Sequence, residues 1–163
     1  MLSGCANKLD YYKGTTPKAD IQNYFNGPIK AWGLVQDWRG RVVTRFDVEM
    51  VGSWEGNAGR LEESFNYYDG KIQKRVWTIT KNENGTYEGS AGDIIGKATG
   101  RAEGSSVNWS YVMDIPVDGK TYRLTLDDWM WQMNDDVLIN RSYLKKFGIT
   151  VAELTLFMQK QSG

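Results

Sequence analysis

The chain of 163 residues balances 20 basic against 20 acidic side chains and contains one cysteine, seven tryptophans and no histidine. Without histidine there is no Ser-His-Asp triad, Cys-His pair or histidine metal cage, and one cysteine makes neither an internal disulfide nor a four-thiolate zinc site. Zero net charge removes the basic footprint expected of a nucleic-acid-binding protein, and the length fits a single domain.

The amino terminus places the only cysteine, Cys5, directly after Leu-Ser-Gly. This is the form of a bacterial lipobox, in which signal peptidase cuts before a cysteine that then receives acyl chains. We therefore expect Cys5 to be lipidated, after removal of an apolar signal peptide that would precede it. Several acyl chains anchor a protein stably, and Ala6 in place of an aspartate favours passage to the outer membrane.

Residues 6 to 19 are polar and lack a periodic apolar pattern, which predicts a tether between the membrane and the domain. The predicted organisation is therefore a lipobox and tether over residues 1–19 and one domain over residues 20–163. Asp20 is predicted to cap a short helix from Ile21 to Phe25.

From Trp32 onward, turn signals recur at nearly even spacing, and Asp-Gly or Asn-Gly pairs are strong hairpin signals. Between the turns apolar residues occupy alternate positions, as along residues 107–117, which is the period of a half-buried strand. A change of phase in the last segment predicts a bulge near Ala152-Glu153. The turn signals are Arg39-Gly40, Glu55-Gly56-Asn57, Asp69-Gly70, Asn84-Gly85, Glu103-Gly104, Asp118-Gly119, Asn134-Asp135 and Phe147-Gly148.

About eight or nine strands joined by hairpins predict an all-β, antiparallel, up-and-down barrel preceded by the short helix, because closure removes both sheet edges. A barrel of this size is either filled by side chains or holds one small ligand. A two-sheet sandwich is the main alternative. A barrel spanning the outer membrane is disfavoured, since the aromatic residues lie in mid-strand and Asp128 lies on an apolar face.

Several short motifs, in order from about residue 20 to residue 160, resemble a known family. The motifs are residues 25–33, Gln73-Lys74-Arg75-Val76-Trp77-Thr78, residues 91–96, Pro116-Val117-Asp118-Gly119, Asp127-Asp128-Trp129-Met130, Ile139-Asn140-Arg141 and Lys146-Phe147-Gly148. With these motifs the sequence resembles the proteobacterial lipoprotein family labelled domain of unknown function 3833. The resemblance implies a lipocalin-like (calycin) barrel on the periplasmic side of a Gram-negative membrane, no established activity, and a preference for lipid ligands.

Strand phase indicates which charged side chains share the core face. Asp128 is in phase with Leu126, and Arg75 is in phase with Trp77, so both are predicted to point inward. Each buried charge needs a partner, such as the other or Arg141. Either Arg75 holds the carboxylate or phosphate of an amphiphile, or an internal Arg-Asp pair sets strand register. The candidate interior ligand site comprises Arg75, Trp77, Trp109, Tyr111, Tyr122, Asp128 and Arg141.

Adjacent carboxylates offer no catalytic pair, because neighbours on a strand face opposite sides of the sheet. This excludes Asp127 with Asp128, and we expect Glu62-Glu63 to be solvated. The glycines between residues 89 and 104 match no phosphate-binding motif and are interpreted as strand bends. We predict no catalytic residue, metal site or cofactor. Trp129 and Trp131 have the outward phase, which predicts that they lie under the amino-terminal segment or at a membrane-facing rim.

These observations predict a non-enzymatic, membrane-anchored periplasmic lipoprotein. Its barrel would bind or carry a hydrophobic or amphiphilic small molecule, such as a fatty acyl chain or phospholipid. One alternative is a filled barrel that acts as a structural or interaction protein with an envelope partner. The other is a small acyl-modifying enzyme using Tyr, Asp or Arg. The expected partners are therefore the ligand, the membrane and possible envelope proteins, without nucleic acid.

Overall fold

Ten antiparallel strands close into a barrel in the computed structural model, which describes residues 8–162. The predicted lipidation site, Cys5, lies outside the described residues. A 3-10 turn (Leu9–Tyr12) and a helix α1 (Ile21–Tyr24) precede the strands. The strands are β1 (Gly27–Asp37), β2 (Val42–Glu55), β3 (Ala58–Tyr67), β4 (Ile72–Lys81), β5 (Tyr87–Ser90), β6 (Ile94–Glu103), β7 (Ser106–Val117), β8 (Lys120–Gln132), β9 (Val137–Lys146) and β10 (Ile149–Lys160).

Each strand pairs with its neighbours in sequence, and β1 pairs with β10 to close the ring. The predicted antiparallel barrel is confirmed, and no strand is left with an unpaired edge that would invite aggregation. The β1–β2, β3–β4, β5–β6, β7–β8 and β9–β10 turns lie at one end of the barrel. The other four turns and α1 lie at the opposite end. We call these the open end and the closed end.

The strand count differs from the predicted eight or nine because Ala91, Gly92 and Asp93 form a turn between β5 and β6. The glycines here were interpreted as bends, since this turn has no Asp-Gly or Asn-Gly pair. The predicted bulge matches a register shift between Thr150 and Ala152 in the β9–β10 pairing.

The closed end is sealed by α1 and the residue that follows it. Ile21, Tyr24 and Phe25 are buried. Trp54 Nε1 donates to the Phe25 carbonyl at 3.0 Å, and a Cβ on Gly52 would lie 1.8 Å from the same oxygen. The backbone therefore approaches β2 so closely that only glycine fits there. The predicted helix is a single turn, with Asp20 Oδ1 accepting from the Asn23 amide at 3.0 Å.

Residues 9–19, predicted to be a tether, instead lie against the outside of the barrel. The Tyr12 ring packs on Trp129 and Trp131, with ring centroids 5.9 and 6.4 Å apart. The Ala19 amide donates to the Gly104 carbonyl at 2.8 Å. The prediction that the two outward tryptophans lie under the amino-terminal segment is confirmed. Among the described residues, no helix is long and apolar enough to cross a bilayer.

The barrel interior contains two apolar clusters. The larger includes α1, Val48, Val107 and Leu138 towards the closed end. Trp77, Tyr111 and Leu154 pack against both clusters and join them. The smaller lies towards the open end and consists of Ile94, Met113, Leu124, Leu126 and Leu144.

Candidate functional site

Polar side chains from five strands and one turn form one group in the barrel interior. Strand alternation turns most of them inward, and Asp93 enters from the β5–β6 turn. Tyr111, Asn140 and Ser142 contact Asp128, and Glu63 and Asp93 contact Arg75. We call this group the lumenal polar cluster; it consists of Glu63, Arg75, Asp93, Tyr111, Asp128, Asn140 and Ser142.

Two carboxylates hold the guanidinium of Arg75. Its Nε and Nη2 donate to the two carboxylate oxygens of Asp93 at 3.0 and 2.7 Å, and its Nη1 lies 3.4 Å from Glu63 Oε2. The guanidinium also stacks over the Phe65 ring, 4.9 Å from its centroid. Arg75 therefore points inward as predicted. The suggested pairing with Asp128 is wrong, because Glu63 stands opposite Arg75 in the β3–β4 register.

Asp128 is buried and is held by neutral donors, with no cation paired to it among residues 8–162. Ser142 Oγ donates to its Oδ1 at 2.5 Å, the Asn140 amide donates to the same oxygen, and the Tyr111 hydroxyl donates to Oδ2 at 3.3 Å. The Asn140 amide is itself oriented by the Trp129 carbonyl at 2.7 Å. Hydrogen bonds rather than an ion pair therefore satisfy this buried carboxylate.

Burial disfavours the charged forms of Glu63 and Asp128, two of the three acidic side chains in the lumenal polar cluster. Burial raises the pKa of Glu63 to about 7, and the nearby Arg75 only partly offsets this. Burial also raises the pKa of Asp128 to about 6, despite its three hydrogen bonds, and raises the pKa of Tyr111 well above its ordinary value. Above neutral pH the cluster therefore holds one guanidinium and three carboxylates.

Three of the four predicted aromatic residues lie in the interior. Trp77 and Tyr111 meet edge to face, with ring centroids 5.5 Å apart. Trp109 is buried and lies 5.9 Å from the Tyr87 ring. Tyr122 does not join them, because it lies at the open end of β8, where its side chain is exposed. The aromatic residues thus line both halves of the lumen rather than forming one cage.

Arg141, also predicted as an interior candidate, points away from the lumen. Its Nη2 approaches Thr155 Oγ1 at 3.4 Å, and the buried positions of β9 are the alternate ones, including Asn140 and Ser142. The sequence left this phase undecided because apolar residues occupy both faces of β9. Closure against β8 and β10 decides it.

Glu63 is the principal residue that the sequence interpretation missed. It was grouped with Glu62 as solvated, yet its side chain is 9% exposed against 56% for Glu62. Strand alternation indicates the correct position, because Glu63 lies two residues from both Leu61 and Phe65, which are buried on the same face. Asp93 gave no such signal, because a turn residue has no strand phase.

Solvent reaches the lumen from the open end. Leu124 and Leu144, which point inward near that end, keep 8% and 9% of their surface accessible, whereas Val48 and Val107 towards the closed end keep none. The Arg75 side chain is 16% exposed. The open half of the interior is therefore less completely buried than the base.

A concavity lies on the outer surface of the barrel. It has a volume of about 530 Å³ and runs between the amino-terminal segment and the outer face of β5 to β8. Lys8, Asp10 and Arg101 line it together with the edge of Trp129. Its mixed charges and open shape select no single ligand class.

Comparison with known proteins supplies a family but no activity. A family described as "Protein of unknown function (DUF3833)" matches residues 1–160. No protein with a curated description is detectably similar. Among solved structures, lobster apocrustacyanin A1 is similar with a TM-score of 0.42 and 10% sequence identity, over 88% of this chain and 64% of that chain. The chain thus spans a little under two thirds of the length of that protein.

Proposed function

The chain belongs to the DUF3833 family, as its motifs predicted, and we propose that it is a non-enzymatic binding protein of the bacterial envelope. In this proposal, the barrel accepts one small hydrophobic or amphiphilic molecule through its open end. An acyl anchor on Cys5 holds the protein on the periplasmic side of the outer membrane. The lipobox-like Leu-Ser-Gly-Cys sequence supports the anchor.

The observation that supports the binding function is the small solvent exposure that apolar residues of the open half retain, in contrast to the fully buried base. Leu124 and Leu144 keep contact with solvent although they point into a closed barrel. Apolar surface left in contact with water inside a protein is a ready site for an apolar ligand. In this proposal a slender group such as an acyl chain, rather than a bulky ring system, enters between these closely packed side chains.

The charges of the lumenal polar cluster select the head group. The alternative in which Arg75 anchors an anionic head group is disfavoured, because its Nε and Nη2 already contact Asp93 and its Nη1 already contacts Glu63. Three carboxylates against one guanidinium repel a further anion above neutral pH. We infer that the ligand has a neutral or cationic polar end, such as a hydroxyl or amine, which donates to Glu63 or Asp128.

The hydrogen bonds that Asp128 and Arg75 already make favour binding over catalysis. Both oxygens of Asp128 accept hydrogen bonds, and Arg75 makes contacts with two carboxylates. A general base must be free to take a proton from its substrate. Groups held this firmly serve better to recognise a polar end than to move protons.

Tryptophan fluorescence tests the proposal directly, because Trp77 lies in the lumen beside Tyr111. The full chain is titrated with laurylamine, lauryl alcohol and laurate, all below their micelle concentrations. We expect saturable changes with the amine and the alcohol and much weaker binding of laurate. In Glu63→Gln, which removes one lumenal charge, the preference against laurate should shrink.

A matched pair of variants separates lumen binding from adsorption to the outside. Leu124→Phe adds bulk to the open half of the lumen and should weaken binding at least tenfold. Thr125→Phe adds the same ring one residue along, at an exposed position, and should leave binding unchanged. Absence of saturable binding for all three amphiphiles, or equal effects of the two variants, would contradict a lumenal ligand.

The packed base of the barrel favours one alternative, in which the interior is structural and the outside carries the function. Ala31, Val48 and Val107 are fully buried there. The same titrations decide between the two candidates, since a structural interior binds none of the amphiphiles.

A further inference from the structure

The open and closed ends of the barrel differ in the apolar residues that they expose. Taking each turn with two strand residues on either side, the open end comprises residues 36–43, 66–73, 89–95, 116–121 and 145–150. We call this ring of five hairpins the open-end rim. Nine exposed large apolar residues lie on the rim, whereas the described closed-end turns, counted in the same way, expose only Met133. The nine are Trp38, Val42, Val43, Tyr68, Ile72, Ile95, Val117, Phe147 and Ile149.

The two ends also differ in their balance of basic and acidic side chains. The rim carries six basic and four acidic side chains, whereas the closed-end turns, over residues 54–59, 80–88, 102–107 and 131–138, carry one basic and six acidic side chains. The chain as a whole has no net charge. The barrel is therefore polarised along its axis, with a basic, apolar ring around its mouth and an acidic base.

The most exposed apolar residues of the rim stand beside cations. The Arg39 guanidinium lies 4.6 Å from the Trp38 ring centroid, and Lys146 Nζ lies 5.4 Å from that of Phe147. Among the described residues, neither cation has a carboxylate within ion-pair distance. Aromatic rings with adjacent lysine and arginine are the side chains that suit the boundary between lipid head groups and acyl chains.

Phe147 is both strained and exposed. Its φ is +51°, in the left-handed region that a bulky side chain enters only at a cost, and its surface is 93% exposed. The tight turn ahead of Gly148 would form more easily with asparagine or glycine at this position. The strained turn instead presents a phenyl ring to the surroundings at the tip of the β9–β10 hairpin.

We propose that the open-end rim docks on a lipid bilayer containing anionic lipids, with the mouth of the barrel facing the membrane. Basic side chains meet the lipid head groups, and the aromatic and aliphatic tips enter the interface between them. Five separate tips around an open mouth suit a fluid surface, since a lipid bilayer adapts to each tip. This docking is independent of ligand binding in the lumen. It concerns a bilayer other than the one that holds Cys5, because the chain meets the barrel at Lys8, beside Asn82 and Thr86 of the closed-end β4–β5 turn.

Vesicle co-sedimentation of the full chain tests the docking. Vesicles of phosphatidylcholine with roughly one third phosphatidylglycerol are compared with phosphatidylcholine alone, at low and raised salt. We expect binding to the anionic vesicles that weakens with salt. Arg39→Gln and Lys146→Gln should each weaken partitioning about fivefold, while Lys81→Gln at the closed end should have no such effect.

The apolar tips are tested with a matched exposed residue. Trp38→Ser with Phe147→Ser should lower partitioning at least tenfold, and Met133→Ser, at the acidic end, should leave it unchanged. Losses of equal size in both variants would overturn the proposal. Failure of the wild-type chain to sediment with anionic vesicles would also overturn it and assign the rim to a protein partner, while the amphiphile titrations would stand.

Discussion

Burial makes the charged form of Glu63 unfavourable, so a neutral replacement should stabilise the protein at high pH. Burial raises the pKa of Glu63 from its ordinary value of 4.5 to about 7. Between these pH values the folded protein holds a proton that the unfolded chain has lost, so stability falls as pH rises through this range. Each tenfold change in proton affinity is worth about 1.4 kcal/mol, which makes the full cost above pH 7 about 3 kcal/mol.

Glu63→Gln removes this cost while keeping the contacts around it. The amide oxygen can still accept from Arg75, which retains its two hydrogen bonds with Asp93. We expect the free energy of unfolding to rise by up to about 3 kcal/mol above pH 7 and to be unchanged below pH 4.5. Glu62→Gln is the matched control, since Glu62 is adjacent, faces solvent and should change stability by only a few tenths of a kcal/mol.

Urea unfolding, followed by tryptophan fluorescence across a series of pH values from acid to weakly alkaline, measures both variants. The two profiles should converge in acid and separate above neutrality. The free energy of unfolding of Glu63→Gln could instead follow that of the wild type at every pH, or exceed it most in acid. Either result would show that the site of Glu63 does not favour the neutral form of the side chain. The assignment of excess negative charge to the lumen, and with it the head-group preference, would then be refuted.

Two further predictions concern Asp128 and the closed end. Asp128→Ala leaves three buried donors without their acceptor and should cost about 2–4 kcal/mol in equilibrium unfolding. Asp127→Ala, at a partly exposed neighbour, should cost about 1 kcal/mol or less. Equal losses of stability in the two variants would contradict the role of Asp128 as a buried acceptor of three hydrogen bonds. Gly52→Ala forces a Cβ to within 1.8 Å of the Phe25 carbonyl oxygen and should lower the thermal midpoint clearly. A Cβ added at Gly92 has no neighbour within 4 Å, so Gly92→Ala should change the thermal midpoint little. Equal midpoints for the two variants would contradict the close approach of β2 to Phe25.

Tryptophan exposure shows how far local sequence reasoning extends. The phase of β8 separates Trp129 and Trp131 from Leu126, and the structure places both under Tyr12 as predicted. This worked because strand alternation is a property of the backbone and holds whatever the partner strand. The same rule was sufficient for Glu63, whose phase with Leu61 and Phe65 places it inside, but adjacency to Glu62 misdirected the interpretation.

Pairing within the lumen could not be predicted in the same way. Arg75 and Asp128 both point inward, yet they do not pair, because Asp93 reaches Arg75 from a turn and neutral donors reach Asp128 from β9. Which inward side chains meet depends on register and on how the sheet closes. Neither is encoded in the alternation of a single strand.

Local patterns in the sequence were sufficient to predict the antiparallel barrel, the inward phase of its well-patterned strands, the short capped helix and the family. Each follows from local backbone geometry, from the residues that tight turns require, or from motif order. The number of strands in the ring, the outward direction of Arg141, and the contrast between the basic, apolar rim and the acidic base were visible only in the folded molecule. These features depend on contacts between residues far apart in the chain, since closing the ring brings every second turn to the same end.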